Sequence, residues 1–280
     1  MSCTIEEIEV SENQMPHDML NRIFSKKNTA IAAVGSLACI RTLWFRSYWL
    51  GELHRFYGKA VSAAEYALGK QVVRLKECIQ KASEAEGVRH IIVYASCLEV
   101  VSMCDLEMEL QDMSLPEGVD VHIFYRGSLV KRTMKPAEVL EKLLTEIEAE
   151  DELTKIEIPK ENALENPPPF PDFAKKMLEL KEKDCDVLLV SPGGCKSCLR
   201  GSSAGVDVNA HFYATRFDDV SISLGCPELF DVILEFFDTK RPLFLVGSAV
   251  FHMIGFDGRE LAARLTQAGR ETVWLESDGI

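Results

Sequence analysis

A cysteine that closes a short apolar run is followed twice in this chain by a Leu-Gly pair at the same distance. Val34-Gly-Ser-Leu-Ala-Cys39 aligns with Val190-Ser-Pro-Gly-Gly-Cys195, and without a gap Leu68-Gly69 then aligns with Leu224-Gly225. After a four-residue slip, Tyr94-Ala-Ser-Cys97 falls on Val246-Gly-Ser-Ala249, and Asp105, eight residues beyond Cys97, falls on Asp257. Any two strand–helix units share a rhythm, but rhythm alone does not preserve the spacing of Cys, Leu-Gly, Ser and Asp. A period of this size marks an internal repeat, and the slip falls in a helix-to-strand loop, where insertions are tolerated.

The repeated unit alternates strands with helices. Thr29–Gly35, His90–Ser96 and Val119–Tyr125 are short apolar runs of the kind a fully buried strand requires, and Asp186–Ser191, Leu243–Ala249 and Glu271–Ser277 echo them. Helices are expected over about 65–82, from near Cys104, over Lys135–Glu150, over 171–183 and over 257–269, with another at Pro227–Asp238. Strands alternating with helices imply parallel β-α-β units. The expected fold class is therefore α/β, two tandem Rossmann-like parallel-sheet units related by internal duplication. The stretch 151–170 is acidic and contains Pro167, Pro168 and Pro169, the texture of a semi-rigid spacer. This assigns residues 1–150 to a first unit with an N-terminal lead-in helix, 151–170 to a linker and 171–280 to a second unit.

Bulk properties limit the function. Two domains suit 280 residues. The 31 basic and 44 acidic side chains leave a net charge of −13, which repels phosphate backbones and argues against nucleic acid as a partner. The start of the chain has neither a basic segment nor an apolar run, so no secretory signal is read there. The longest apolar stretch, Pro242–Phe256, contains His252 and is too short to span a bilayer. The expected setting is the cytoplasm, with no membrane association. Neither GxGxxG nor GxxxxGK[ST] occurs, so no nucleotide fingerprint is met.

Nine cysteines, an odd number in a reducing compartment, do not suggest a disulfide framework. They remain open to core packing, to metal or cluster ligation, or to thiol chemistry. Cys78 sits on the apolar face of a helix and Cys185 just before a strand, both packing positions; Cys3 falls in a flexible terminus. Cys39, Cys97 and Cys195 each follow a buried strand at its carboxyl end, where open α/β sheets bind ligands. Cys195 and Cys198 form a CxxC pair, a ligand-competent spacing and also that of a redox dithiol. Trp44, Phe45, Tyr48 and Trp49 are read as a pocket wall or as core. His54, His122, His211 and His252 show no ligand spacing and are read as isolated side chains.

Ser191-Pro-Gly-Gly-Cys195, Thr215-Arg-Phe-Asp-Asp219, Ser223-Leu-Gly-Cys-Pro-Glu-Leu229 and Met253-Ile-Gly-Phe-Asp257, together with Cys97 at the end of a strand where the family has Ser-x-Cys, resemble the first domain of the nitrogenase component 1 family. That family includes the dark-operative protochlorophyllide reductases. The resemblance covers about residues 28–130 and 186–280. Ala249 stands where the family has a cysteine, the first turn reads GSLAC, and the family's third domain has no counterpart here.

The resemblance implies an oxidoreductase component that binds an iron–sulfur cluster, [4Fe-4S] by expectation. It would receive electrons from an ATP-dependent, nitrogenase-reductase-like iron protein and pass them to a small molecule, tetrapyrrole-like or otherwise. The implied ligands are Cys39, Cys97, Cys195 and Cys198, with Cys226 or a carboxylate as the alternative fourth. A homodimer or hetero-oligomer sharing the cluster is a further arrangement. Two other functions stay open: a non-catalytic scaffold or carrier for a cluster or metallocofactor, and an interaction module with structural cysteines.

Overall fold

The structure is a computed structural model of the full chain, described here for residues 3–8, 19–127, 129–130, 133–151, 172–193, 209–238 and 240–275. The chain divides into two compact units, one of Pro16–Pro169 and one that joins Met1–Met15 to Phe170–Asp278. Each is α/β, built on a sheet whose repeat-derived strands are all parallel.

The elements, in chain order, begin with β1 (Cys3–Glu7), α1 (Met19–Phe24), β2 (Thr29–Gly35) and α2 (Leu37–Trp49). β3 (Phe56–Ala60), α3 (Ala63–Ala67), α4 (Lys70–Ser83), β4 (His90–Ala95) and α5 (Cys97–Val101) follow, then α6 (Leu106–Leu110), β5 (Asp120–Tyr125) and α7 (Pro136–Asp151). The second half contributes α8 (Asp172–Lys181), β6 (Asp186–Val190), β7 (His211–Phe217), α9 (Asp219–Ser223) and α10 (Leu229–Phe236). It closes with β8 (Leu243–Gly247), α11 (Ala249–Met253), α12 (Gly258–Gln267) and β9 (Thr272–Leu275).

The first sheet has the order β3-β2-β4-β5 and the second β1-β7-β6-β8-β9. Without β1, the two orders are the same. β2 and β6 occupy the inner positions and are buried along their whole length, which explains why both read as unbroken apolar runs. α4 covers one face of the first sheet, burying Leu75, Cys78, Ile79 and Ala82 at helical spacing. α1, α2 and α7 cover the other, where Ile23, Trp44, Leu140 and Ile147 meet Ile31, Ile92 and Phe124.

Both units punctuate the chain alike. Gly69 and Gly225 are left-handed (φ 68° and 75°), as are Met103 and Gly255 (φ 52° and 73°). Asp105 caps α6 and Asp257 caps α12, each accepting a backbone N–H three residues on. These are the landmarks of the sequence repeat, now at matching positions of matching folds.

Four expectations need correction. The lead-in contains a strand, β1, which pairs antiparallel with β7 from Cys3↔Phe217 to Glu7↔Tyr213; Cys3 is thereby held in a ladder. β3 and β7 were not expected as strands: β3 is a five-residue edge strand with Gly58 and Lys59 in it, and β7 runs into the acidic Asp218 and Asp219. The helix expected over 65–82 is two, α3 and α4, broken at left-handed Gly69. Finally, the turn at Cys39 is already helix α2, and a short helix not expected, α5 from Cys97, precedes the helix expected near Cys104, which is α6. Among the described residues, no helix is long and apolar enough to cross a membrane.

Candidate functional site

In the first sheet, β3 lies to one side of β2, and β4 then β5 lie to the other. The connections therefore depart in opposite directions from β2 and β4, and the crevice between their carboxyl ends is where sheets of this order bind ligands. Cys39 stands in the first turn of α2, directly after β2, and Cys97 opens α5, directly after β4. Helix starts supply unpaired backbone N–H groups that favour a thiolate. Cys39 is half-buried and Cys97 is 5% exposed.

The two thiols share a neighbour. Tyr66, on α3, is buried, and burial is the main reason its phenol is held far above its usual pKa; Glu99 and then both thiols, Cys39 and Cys97, push it the same way. The Tyr66 hydroxyl donates to Glu99 Oε1 at 2.9 Å. Glu99 Oε2 accepts the Ser96 backbone N–H at 2.6 Å and the Ser96 hydroxyl at 2.7 Å, closing a capping box over α5. Glu99 is 3% exposed, and burial raises its pKa against the opposing pull of these hydrogen bonds. Gly127 packs closely against Cys97: a Cβ there would come within 2.7 Å of Cys97 Cβ and 2.8 Å of its backbone nitrogen. Ser36, capping α2 by position, keeps its hydroxyl buried with no hydrogen-bond partner among the described residues.

Beside this crevice, a cleft of about 430 Å³ lies between the start of α4 and the α5–α6 turn, lined by Gln71, Val73, Lys76, Met103, Cys104 and Met108 among others. Its apolar side chains are bare: Met103 is 91% exposed and Met108 59%. The Cys104 thiol is pushed up to about 11, first by burial and then by Glu99, Glu109, Asp105 and Glu107. The surroundings of this thiol are strongly negative.

The structure therefore places two of the expected ligands, Cys39 and Cys97, after the carboxyl ends of neighbouring strands and within electrostatic reach of one tyrosine. Cys195 and Cys198 lie outside the described residues. Cys226 belongs to the other unit, 3% exposed and left-handed (φ 53°), where its thiol is pushed up to about 12 by burial, Glu228 and then Cys3. Cys78 and Cys185 are core residues, 7% and 1% exposed. Trp44 is core as well, stacked on Tyr48 with ring centroids 5.4 Å apart; the side chains of Phe45 and Trp49 lie outside the described residues. Among the described residues, no group of three or more His, Cys, Asp and Glu side chains is arranged to hold a metal ion.

Sequence reading missed Tyr66 and Glu99. The readable signal was the Ser-x-x-Glu capping box, present at both Ser62–Glu65 and Ser96–Glu99. It also treated His122 as isolated, whereas its ring lies 3.2 Å from that of His90.

No family model matches the chain, and no curated protein matches it. Among solved structures, it is similar to the tagatose-6-phosphate ketose/aldose isomerase of Escherichia coli, at 11% identity over 93% of this chain and 75% of that one, with a TM-score of 0.20. A likeness that loose carries no argument about fold or function.

Proposed function

We propose that this protein is an iron–sulfur-binding oxidoreductase component of the nitrogenase component 1 type, with Cys39 and Cys97 as two of the cluster ligands. The observation that carries the reading is their placement after β2 and β4, the two strands that flank the crevice of the first sheet, around one buried tyrosine. Thiolates are the ligands such clusters take, usually four to a cluster. The donor chemistry fits, with half the set in this pair; Cys195 and Cys198 are the candidates for the rest. When bound, a cluster would supply one-electron transfer.

The protein's own groups would do the remaining work. Tyr66 stays protonated, its hydroxyl held by Glu99 and within electrostatic reach of both thiols. Gly127 keeps the backbone close over Cys97. The bare apolar surface of Leu68, Met103 and Met108 supports docking of an electron-donating protein next to the crevice.

The test is anaerobic purification with iron and acid-labile sulfide analysis and electron paramagnetic resonance. The expected result is brown protein whose iron and signal are lost in the Cys39→Ser/Cys97→Ser variant. Colourless, iron-free protein after anaerobic reconstitution, or full iron retention in that variant, would overturn the assignment. Reduction by an ATP-dependent iron protein would then separate an electron-transfer component from a passive carrier.

A further inference from the structure

The amino-terminal ends of β4 and β5 lie at the opposite edge of the same sheet from Cys97, about 20 Å away along a six-residue strand. The register there pairs His90 with Asp120, Ile92 with His122 and Thr29 of β2 with His90. Paired residues of parallel strands point to the same face, and so do residues two apart along a strand. Asp120, His122 and His90 therefore stand on one face, with Thr29 beside them.

His90 Nδ1 is 3.2 Å from His122 Nε2, with the ring planes inclined by 40°. An ion bonded to nitrogen at about 2.0–2.1 Å in tetrahedral geometry holds two ligand atoms roughly 3.3 Å apart. The spacing thus suits two ligands of one cation as well as it suits a hydrogen bond between the rings. One feature favours the cation. The Asp120 side chain is exposed at the rim and makes no hydrogen bond or ion pair among the described residues, so a carboxylate stands ready to offset positive charge. The Arg89 guanidinium, the nearest cation in sequence, turns to the Gly118 carbonyl at 3.4 Å.

We propose that His90, His122 and Asp120 form a binding site for a borderline divalent cation of the zinc class, which clips edge strand β5 to β4. Water completes the coordination. The three side chains do not already close on one point, so the Asp120 carboxylate turns in as the ion enters. The ring nitrogen that donates in the ring–ring hydrogen bond gives up its proton to the other nitrogen of its own ring. Both imidazoles then bind neutral, with His90 protonated at Nε2 and His122 at Nδ1. The site is independent of any cluster at the opposite edge of the sheet.

The test is a zinc titration of the full chain under reducing conditions, followed by long-range nitrogen-15 NMR of the six histidine imidazoles. Two imidazoles should shift together and saturate at one equivalent. In His122→Gln, which keeps a hydrogen-bonding side chain at that position, binding at this site should weaken by at least the roughly 10–100-fold that loss of a mere supporting partner costs. Zinc that leaves the His90 and His122 signals unmoved, because it goes only to thiols or binds nowhere, would overturn the site. So would undiminished affinity in His122→Gln.

Discussion

The two units share a strand order and differ at their edges. In the first, the edge strand β3 ends exposed, with Lys59 on it, the charged side chain that natural edges use against further pairing. In the second, the equivalent strand β7 is covered by β1, five residues from the far end of the chain. The units also pin the amino ends of their central strands differently. The first uses one buried arginine: Arg55 donates to the carbonyls of Phe24 (2.8 Å), Thr29 (2.9 Å) and Lys26 and lies over the Phe24 ring. The second uses a buried carboxylate: Asp186, with no exposure, receives Arg241 at 3.0 Å and Arg270 at 2.9 Å. Ala30 occupies the position equivalent to Asp186 in the first repeat. A duplicated topology thus keeps its caps and left-handed turns and leaves its boundaries free to diverge, because strand order depends on the core pattern and the boundary on whatever covers it.

The sharpest way to break this comparison is Asp186→Ala. It removes the buried carboxylate that meets Arg270 and the half-buried Arg241 and should cost about 3 kcal/mol. Denaturant unfolding should show the loss, and hydrogen exchange should place it in β6–β9 while β2–β5 stay protected. Equal loss of protection in both sheets would mean that the units do not respond separately.

Deleting residues 1–8 comes next. It removes the buried Ile8 side chain, worth about 1.5–3 kcal/mol, and bares the β7 edge. Exchange should quicken in β7, and the truncated chain should self-associate. An unchanged β7 would show that β1 contributes no protection.

Glu99→Gln probes the crevice of the first unit through pH. The folded-state pKa of Glu99 is raised by burial. The carboxyl's contribution to stability is therefore fully present below the usual value of about 4.3 and is lost as pH rises through the raised one. Wild type should lose stability relative to Glu99→Gln over that interval, read from urea midpoints across a pH series. Parallel curves would remove Glu99 from the account.

The smallest expected effects are the matched caps. Asp105→Ala and Asp257→Ala should each cost about 1 kcal/mol, and the near equality is what the repeat requires. A threefold difference would show that one of the two caps has taken on another role.

The strands β2, β4, β6 and β8 were legible because burial on both faces demands apolar residues throughout, a pattern that survives without knowledge of the neighbours. The edges were not. β3 mixes Phe56 and Tyr57 with Gly58 and Lys59, and becomes a strand because β2 supplies the partner for its backbone. Within the crevice, Cys39 and Cys97 stood out by their place after buried strands. Tyr66 and Glu99, 33 residues apart, meet only when α3 and α5 are set against the same sheet edge.

Local pattern by itself determined that this chain forms repeated strand–helix units with thiols at strand ends, since periodicity and left-handed turns are properties of short segments. The tertiary structure alone decided that β1 joins the second sheet, that His90 faces His122, and that Cys39 and Cys97 share a buried tyrosine. Those outcomes depend on contacts between segments far apart in the chain, and the free energy of such a contact resides in neither segment alone.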